Sequence, residues 1–335
     1  MKNATGEDAI AINDVRKTFT TYEARSSSFL SVLSKRKTEK KALRGVSFSV
    51  KKGSITALLG KNGSGKSTLI KLLVGIMAPD SGTVRVLGMD PWKERITLAR
   101  RMGVVLGAHP TLYNDLPPAQ SFEYMRRLYR IPKNEYEKRL RHFIRLLELD
   151  DVNRRQVREL SLGERMKCNF IAAVLHLPDL IVLDEPTIGV DLPSTLKLRA
   201  TALDLQKRYG TTILIATHIL EDVKVLAEEV VILDKGKVVF NGSKHDLSVL
   251  FGDYKTVELY FAKNAKVNLS RLGTVVDRRD SYVKIEIRSD KARDKMLAEL
   301  VSSKNVVDYN ISTPEIGEVM SKFYSRVGGM RAKKR

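Results

Sequence analysis

The chain has 335 residues, with 59 lysines and arginines against 39 aspartates and glutamates, a formal net charge of +20. That length suits one large unit and a small one, and 43% hydrophobic residues suffice for a sizeable core. The charge asks for an anionic partner, and no apolar run approaches the roughly 18 residues of a membrane-spanning helix.

The N-terminus has no charged start followed by an apolar core, so no signal peptide is expected and the chain is expected in the cytoplasm. Residues 9–15 and 46–50 alternate apolar and polar side chains and read as strands. Between them lies a polar, basic insert, 22–41. In it Phe29, Leu30, Val32 and Leu33 precede Lys35, Arg36, Lys37, Lys40 and Lys41. That pattern fits a short amphipathic helix on an anionic membrane or a partner's surface, or else a solvated loop. Residues 54–59 are a short apolar strand, 68–76 a helix and 83–87 a strand after a Pro-Asp-Ser-Gly turn. Residues 119–149 read as helical, with Phe122, Met125, Leu128, Leu140, Phe143 and Leu147 at helical spacings. Residues 161–177 form another helix, in which the single cysteine, Cys168, reads as a small buried apolar residue. Strands at 180–183, 212–216, 230–233 and 237–240 follow. Strands alternating with helices imply a mainly parallel sheet covered on both faces. Beyond residue 249 the strands 256–261 and 282–287 and the helices 292–301 and 315–324 make a small α+β appendage. Residues 328–335 are Gly-rich and then basic. The aromatics do not cluster among the basic residues as a base-stacking platform requires, so nucleic acid is not an expected partner.

Two motifs carry chemistry. Gly60-Lys61-Asn62-Gly63-Ser64-Gly65-Lys66-Ser67, followed by Thr68, sits between a strand and a helix as a phosphate-binding loop must. Its glycines let successive backbone N–H groups turn toward one anion, and the following helix adds its positive end. Lys66 reaches the β- and γ-phosphates and Ser67 offers an oxygen to Mg²⁺. The strand 180–183 then ends in Asp184 and Glu185. Two acids there are costly unless a cation compensates them. Asp184 is the candidate Mg²⁺ ligand and Glu185 the candidate for polarising an attacking water.

Leu160-Ser161-Leu162-Gly163-Glu164-Arg165 opens a helix shortly before the carboxylate strand. With the phosphate loop, this order resembles the ABC ATPase family over roughly residues 8–245. The resemblance continues downstream. Ile188-Gly189-Val190-Asp191 looks like the family's D-loop, and His218, after the strand 212–216, like its switch histidine. Phe19 falls where an aromatic stacks on adenine, although it also reads as a strand-end core aromatic, with Tyr22 the alternative stacker. The implied fold is an α/β cassette: a RecA-like P-loop core, an antiparallel β subdomain and a helical signature subdomain. The expected boundaries are 1–248 for the cassette, with 22–41 the basic insert and 107–177 the helical subdomain. An accessory α+β domain follows at 249–325 and a disordered basic tail at 326–335.

The resemblance also implies a partner. Family members close as a sandwich of two copies around two ATP molecules, so Ser161, Leu162, Gly163 and Glu164 of one copy would cap the γ-phosphate held by Lys66 of the other. The texture of 83–92, 115–117 and 186–191 is similar to exporter-type ATPases related to the drug- and polysaccharide-export proteins. That implies a separately encoded transmembrane permease and a peripheral place on the cytoplasmic face of the membrane. One departure stands out. Where the family carries a glutamine after the strand 103–106, this sequence has Ala108, followed by His109. Either His109 takes over contact with Mg²⁺ and water, or the role is vacant. The basic insert stands apart from these motifs, so its five cations are expected to be dispensable for ATP binding.

Overall fold

A computed structural model of the chain describes residues 8–24, 35–107, 111–149, 155–251, 254–262, 269, 272–288, 291–302 and 305–312. The chain divides into two compact units between Gly242 and Ser243.

The first unit opens with a long hairpin. β1 (Asp8–Ala24) and β2 (Lys35–Lys51) pair antiparallel from Asp8 opposite Lys51 to Ala24 opposite Lys35. Both run well past the expected 9–15 and 46–50. Ile10, Ile12, Val46, Phe48 and Val50 are buried, whereas Arg44, Lys41 and Lys40 are exposed. The hydrophobic alternation therefore fades where the strands leave the core, while backbone pairing continues. The cations of the basic insert are thus neither helical nor in a loop: Lys35, Arg36, Lys37, Lys40 and Lys41 all belong to β2. Phe29, Leu30, Val32 and Leu33 lie outside the described residues.

β3 (Ile55–Leu59) is buried at all five positions and leads into α1 (Lys66–Leu73). β4 (Ser81–Val86) returns to pair with β1, giving a three-stranded antiparallel sheet of order β2-β1-β4. After α2 (Arg95–Ala99), β5 (Met102–Leu106) joins the main sheet. The helical stretch expected over 119–149 comprises two helices, α3 (Pro118–Leu128) and α4 (Lys133–Leu147). Arg130 adopts φ 54° between them and Pro132 caps the second. A left-handed residue and a proline each end a helix, and of the two only Pro132 is a signal in the sequence. α5 (Leu162–Val174) buries most of its surface, including Cys168, which is 1% exposed. Burial pushes its thiol up to about 12.

β6 (Leu180–Asp184), α6 (Leu192–Tyr209), β7 (Thr212–Thr217), α7 (Leu220–Leu226), β8 (Glu229–Asp234) and β9 (Lys237–Ser243) complete the core. The main sheet has the order β5-β6-β7-β3-β8-β9, and β5, β6, β7, β3 and β8 run parallel. β3, β6 and β7 therefore end on one edge, and the loops that follow them converge there, as ligand sites of open α/β sheets do. α6 has no counterpart in the sequence reading. Its buried face includes Ser194, Thr195, Arg199 and Thr201, so hydrophobic periodicity is weak along it.

The second unit contains α8 (Lys244–Phe251), β10 (Tyr254–Phe261), β11 (Thr274–Arg279), β12 (Tyr282–Arg288), α9 (Lys291–Val301) and β13 (Val306–Ser312). Its sheet is antiparallel, of order β11-β12-β10-β13, over a core of Val257, Leu259, Ile285, Ile287 and Leu297. The expected helix 315–324 and the basic tail lie outside the described residues.

Candidate functional site

The loop between β3 and α1 is shaped by close approach. Gly65 has φ 114°, and a Cβ there would lie 2.9 Å from the Ala42 carbonyl oxygen. A Cβ on Gly60 would lie 2.5 Å from the Leu233 oxygen. Gly63 has open space around it but φ 77°, where a side chain is strained. The Lys66 side chain is only 6% exposed, and its Nζ donates to the Gly60 carbonyl at 2.6 Å. The first N–H groups of α1 have no intrahelical acceptor, which makes this end of the helix an anion site.

Across from the loop stand the two acids that end β6. Glu185 Oε1 is 3.5 Å from Lys66 Nζ, and its Oε2 is 2.8 Å from His218 Nδ1. The His218 N–H donates to the same Oε2 at 3.4 Å, while the Glu185 N–H donates to the Ala216 carbonyl at 2.8 Å. Glu185 has φ 51°. This left-handed backbone costs a non-glycine residue about 1–2 kcal/mol. Asp184 differs from its neighbour. Its Oδ1 is buried without a hydrogen-bond partner. Burial, and then the adjacent Glu185 charge, raise its carboxyl above the usual carboxylate range.

These groups share a cleft of about 840 Å³. Asn62, Gly63, Gly65, Lys66, Ser67 and Thr68 form its floor, with Asp184 and Glu185 on one side. Phe19, 37% exposed, lines it from β1. Gly60 lies just behind, holding Lys66, and Ser64 is buried beneath the loop. Further residues on the wall escaped the sequence reading: Lys40, Lys41, Arg44 and Lys235. Lys40 pairs directly with Phe19 in the β1–β2 register. The expectation that the insert's cations stand apart from the nucleotide site is therefore corrected for Lys40 and Lys41. The signal lay in hairpin register, which cannot be read without knowing that 16–24 and 35–44 pair. Ala108 and His109 lie outside the described residues, but Gly107, just before them, lines the cleft.

The Ser161 segment is built separately. Ser161 caps α5, its Oγ accepting the Glu164 N–H at 3.1 Å while Glu164 Oε2 accepts the Ser161 N–H at 2.9 Å. This reciprocal box satisfies two orphan donors of the helix start. Arg155 pairs with the Glu164 carboxylate. Burial works against that carboxylate, but the Ser161 N–H and Arg155 outweigh it and hold its pKa below the usual range. A Cβ on Gly163 would lie 2.2 Å from Asp191 Oδ2, so a side chain there would displace the start of α6 or its capping carboxylate. Asp191 caps α6 through the Ser194 N–H at 2.8 Å, the bond chiefly responsible for its lowered pKa. Among the described residues lining the cleft, none is Ser161, Leu162, Gly163, Glu164 or Asp191.

Residues 43–188 match the family model described as ABC transporter. The ABC transporter ATP-binding protein NatA of Bacillus subtilis is 33% identical over 207 residues, covering 62% of this chain and 84% of NatA. The chain belongs to the ABC transporter ATP-binding family. The linearmycin resistance ATP-binding protein LnrL of Bacillus subtilis is 31% identical over 221 residues, 66% of this chain and 70% of LnrL. A solved structure titled as an ATP-binding subunit of an ABC transporter shares 27% identity at a TM-score of 0.61, covering 72% of this chain and 93% of that one. The chain is thus an ABC ATPase, the ATP-binding subunit of a transporter, with the ABC cassette fold and its antiparallel subdomain.

ABC ATPases imply a magnesium ion, and the residues fit one. Asp184 supplies a buried carboxylate oxygen with no protein partner, and Ser67 on the same cleft supplies a hydroxyl. Among the described residues, no group of three or more His, Cys, Asp or Glu side chains could form a metal cage. Mg²⁺ suits such a sparse set, because it keeps several waters and shares phosphate oxygens instead of taking a full protein shell.

Proposed function

We propose that this chain is the motor of an ABC exporter, closing as a dimer around two ATP molecules beneath a separately encoded permease. One observation carries the reading. The cleft gathers the phosphate loop, both acids and Phe19, yet the capped serine at the start of α5 is not among the described residues that line it. A second copy would bring its Ser161 and Gly163 to the open side of this cleft, where a helix start suits an anion.

Within the site, the loop N–H groups and Lys66 bind the β- and γ-phosphates, and Phe19 stacks on adenine. Ser67 and Asp184 would hold Mg²⁺, which when bound neutralises charge on the transferring phosphoryl group. Glu185 accepts a hydrogen bond from the attacking water, and His218 fixes the Glu185 carboxylate while reaching the γ-phosphate. Asp191 caps α6 close to Gly163.

Export is supported by the resistance function named for LnrL. Docking by a permease is supported by an apolar groove of about 280 Å³ lined by Val74, Ile76, Val104, Leu106, Met125 and Ala172. Ile76 is 53% exposed. No helix among the described residues is long and apolar enough to cross a membrane; attachment to a permease would hold the chain on the cytoplasmic face. Ser161→Arg tests the dimer. ATP binding by the isolated chain is expected to survive, because Lys66 belongs to the same chain, while turnover and ATP-driven dimerisation disappear. Turnover per molecule that stays independent of protein concentration and indifferent to Ser161→Arg would sink the shared site.

A further inference from the structure

Behind the Glu185–His218 pair lies a buried polar knot outside the nucleotide motifs. Asp222 of α7 is 0% exposed. One of its oxygens, Oδ2, accepts hydrogen bonds from Thr187 Oγ1 at 2.7 Å and from Thr217 Oγ1 at 3.1 Å. The other, Oδ1, is held by Arg199 of α6, through Nε at 2.9 Å and a terminal guanidinium nitrogen at 2.7 Å. Thr217 Oγ1 also accepts the Ile219 N–H at 2.9 Å, closing the turn that carries His218. Thr187, Arg199 and Thr217 are 5%, 7% and 0% exposed.

Stability alone gives no reason for this arrangement. Desolvating two charges costs several kcal/mol per ion, and well-packed apolar residues of similar volume are often as stable or more so. What the carboxylate offers instead is direction. Thr187 follows Glu185 by two residues and Thr217 precedes His218 by one, so a single oxygen fixes the spacing of both segments. Glu185 needs such a hold, because its backbone sits at φ 51°. Residues in that region persist only where their surroundings over-determine them.

We infer that Asp222, locked by Arg199, is a positioning residue for hydrolysis: through Thr187 and Thr217 it clamps Glu185 and His218 into contact. The inference rests on the reading of Glu185 as the group that orients the attacking water. Releasing the clamp leaves the phosphate loop, Ser67 and Asp184 untouched, so nucleotide binding and turnover should separate.

The decisive variant is Thr187→Val/Thr217→Val, which keeps side-chain volume and leaves the Asp222–Arg199 pair in place. Its kcat is expected to fall about 10²-fold, the effect of roughly 1 Å of slack in a reacting pair, with KM for ATP and ATP affinity unchanged. Thr187→Ser/Thr217→Ser retains both hydroxyls and is expected to restore kcat. Arg199→Met/Asp222→Leu replaces the ion pair by an apolar one. It is expected to unfold no earlier than the parent, yet to share the loss of kcat; a merely structural role would leave kcat intact. Glu185→Gln, assayed alongside, separates two failures. If it abolishes turnover while the valine variant hydrolyses ATP at the parent rate, the clamp is wrong and the site reading stands. If Glu185→Gln itself turns over normally, the site reading fails and the clamp falls with it.

Discussion

Asp184 and Glu185 are chain neighbours with opposite environments. Glu185 sits between Lys66 and His218, whereas one oxygen of Asp184 is buried without a partner. Burial raises the Asp184 pKa, so the folded chain binds that proton more tightly than the unfolded chain. The sign follows: Asp184 favours the fold at acid pH, and that contribution is lost as pH rises through its raised pKa. At neutral pH without a cation it is therefore a liability. Asp184→Asn should raise the thermal midpoint of the nucleotide-free protein and, in the same melts, abolish the further rise produced by Mg²⁺ with ATP. A variant that still gains stability from Mg²⁺ would place the ion elsewhere. Lys40 and Lys41 belong to the same scale. Exposed cations facing phosphate contribute up to about 1 kcal/mol each. Lys40→Ser/Lys41→Ser should thus weaken ATP binding by roughly tenfold at low salt, and by less as salt screens the contact. Equal affinity of variant and parent at low ionic strength would return both lysines to the role of surface charge. The residues of the phosphate loop and the two acids could be read from sequence because each group is a contiguous run at the end of a strong apolar strand. Lys40, Lys41 and Asp222 could not, because strand register and helix packing bring them there.

At the scale of elements, the joint between α3 and α5 carries its own pH dependence. The Tyr129 ring, at the end of α3, stacks on His176, just beyond α5, with centroids 3.9 Å apart and planes 6° from parallel. Burial lowers the His176 pKa from 6.5 to about 4, with the nearby Arg139 charge adding to the effect. The unfolded chain takes up this proton at 6.5 and the folded chain resists until about 4. Stability is then lost as pH falls between those values. Thermal melts should show this decline, and His176→Phe, which keeps the stack without the proton, should flatten it. A variant whose acid limb matches the parent would assign the loss to carboxylates. Elements with strong apolar periodicity, such as β3, β6 and α5, were legible from sequence. Those held by pairing or by polar contacts were not. The outer half of the β1–β2 hairpin is polar, the buried face of α6 carries Arg199 and two threonines, and β11 is largely exposed.

At the scale of the whole molecule, the order β5-β6-β7-β3-β8-β9 explains why a nucleotide site can be assembled from segments as distant in the chain as Gly60 and His218. The phosphate loop, the acids and the histidine follow β3, β6 and β7, three adjacent strands with one direction. Alternation of strand and helix was enough to expect this α/β core, because only a parallel sheet accommodates so many crossovers. The second unit was half legible: β10, β12 and α9 show clear patterns, while β11 and β13 do not. The single cysteine has a practical corollary. Cys168 lies inside α5, 1% exposed, with its thiol held near 12, so alkylating reagents at neutral pH meet almost no thiolate. The native chain therefore already serves as a silent background for site-directed labelling. A cysteine introduced at Ser161 would be the one reactive thiol, and a fluorophore or spin probe placed there could follow association of two copies without first stripping the protein of its own sulfur.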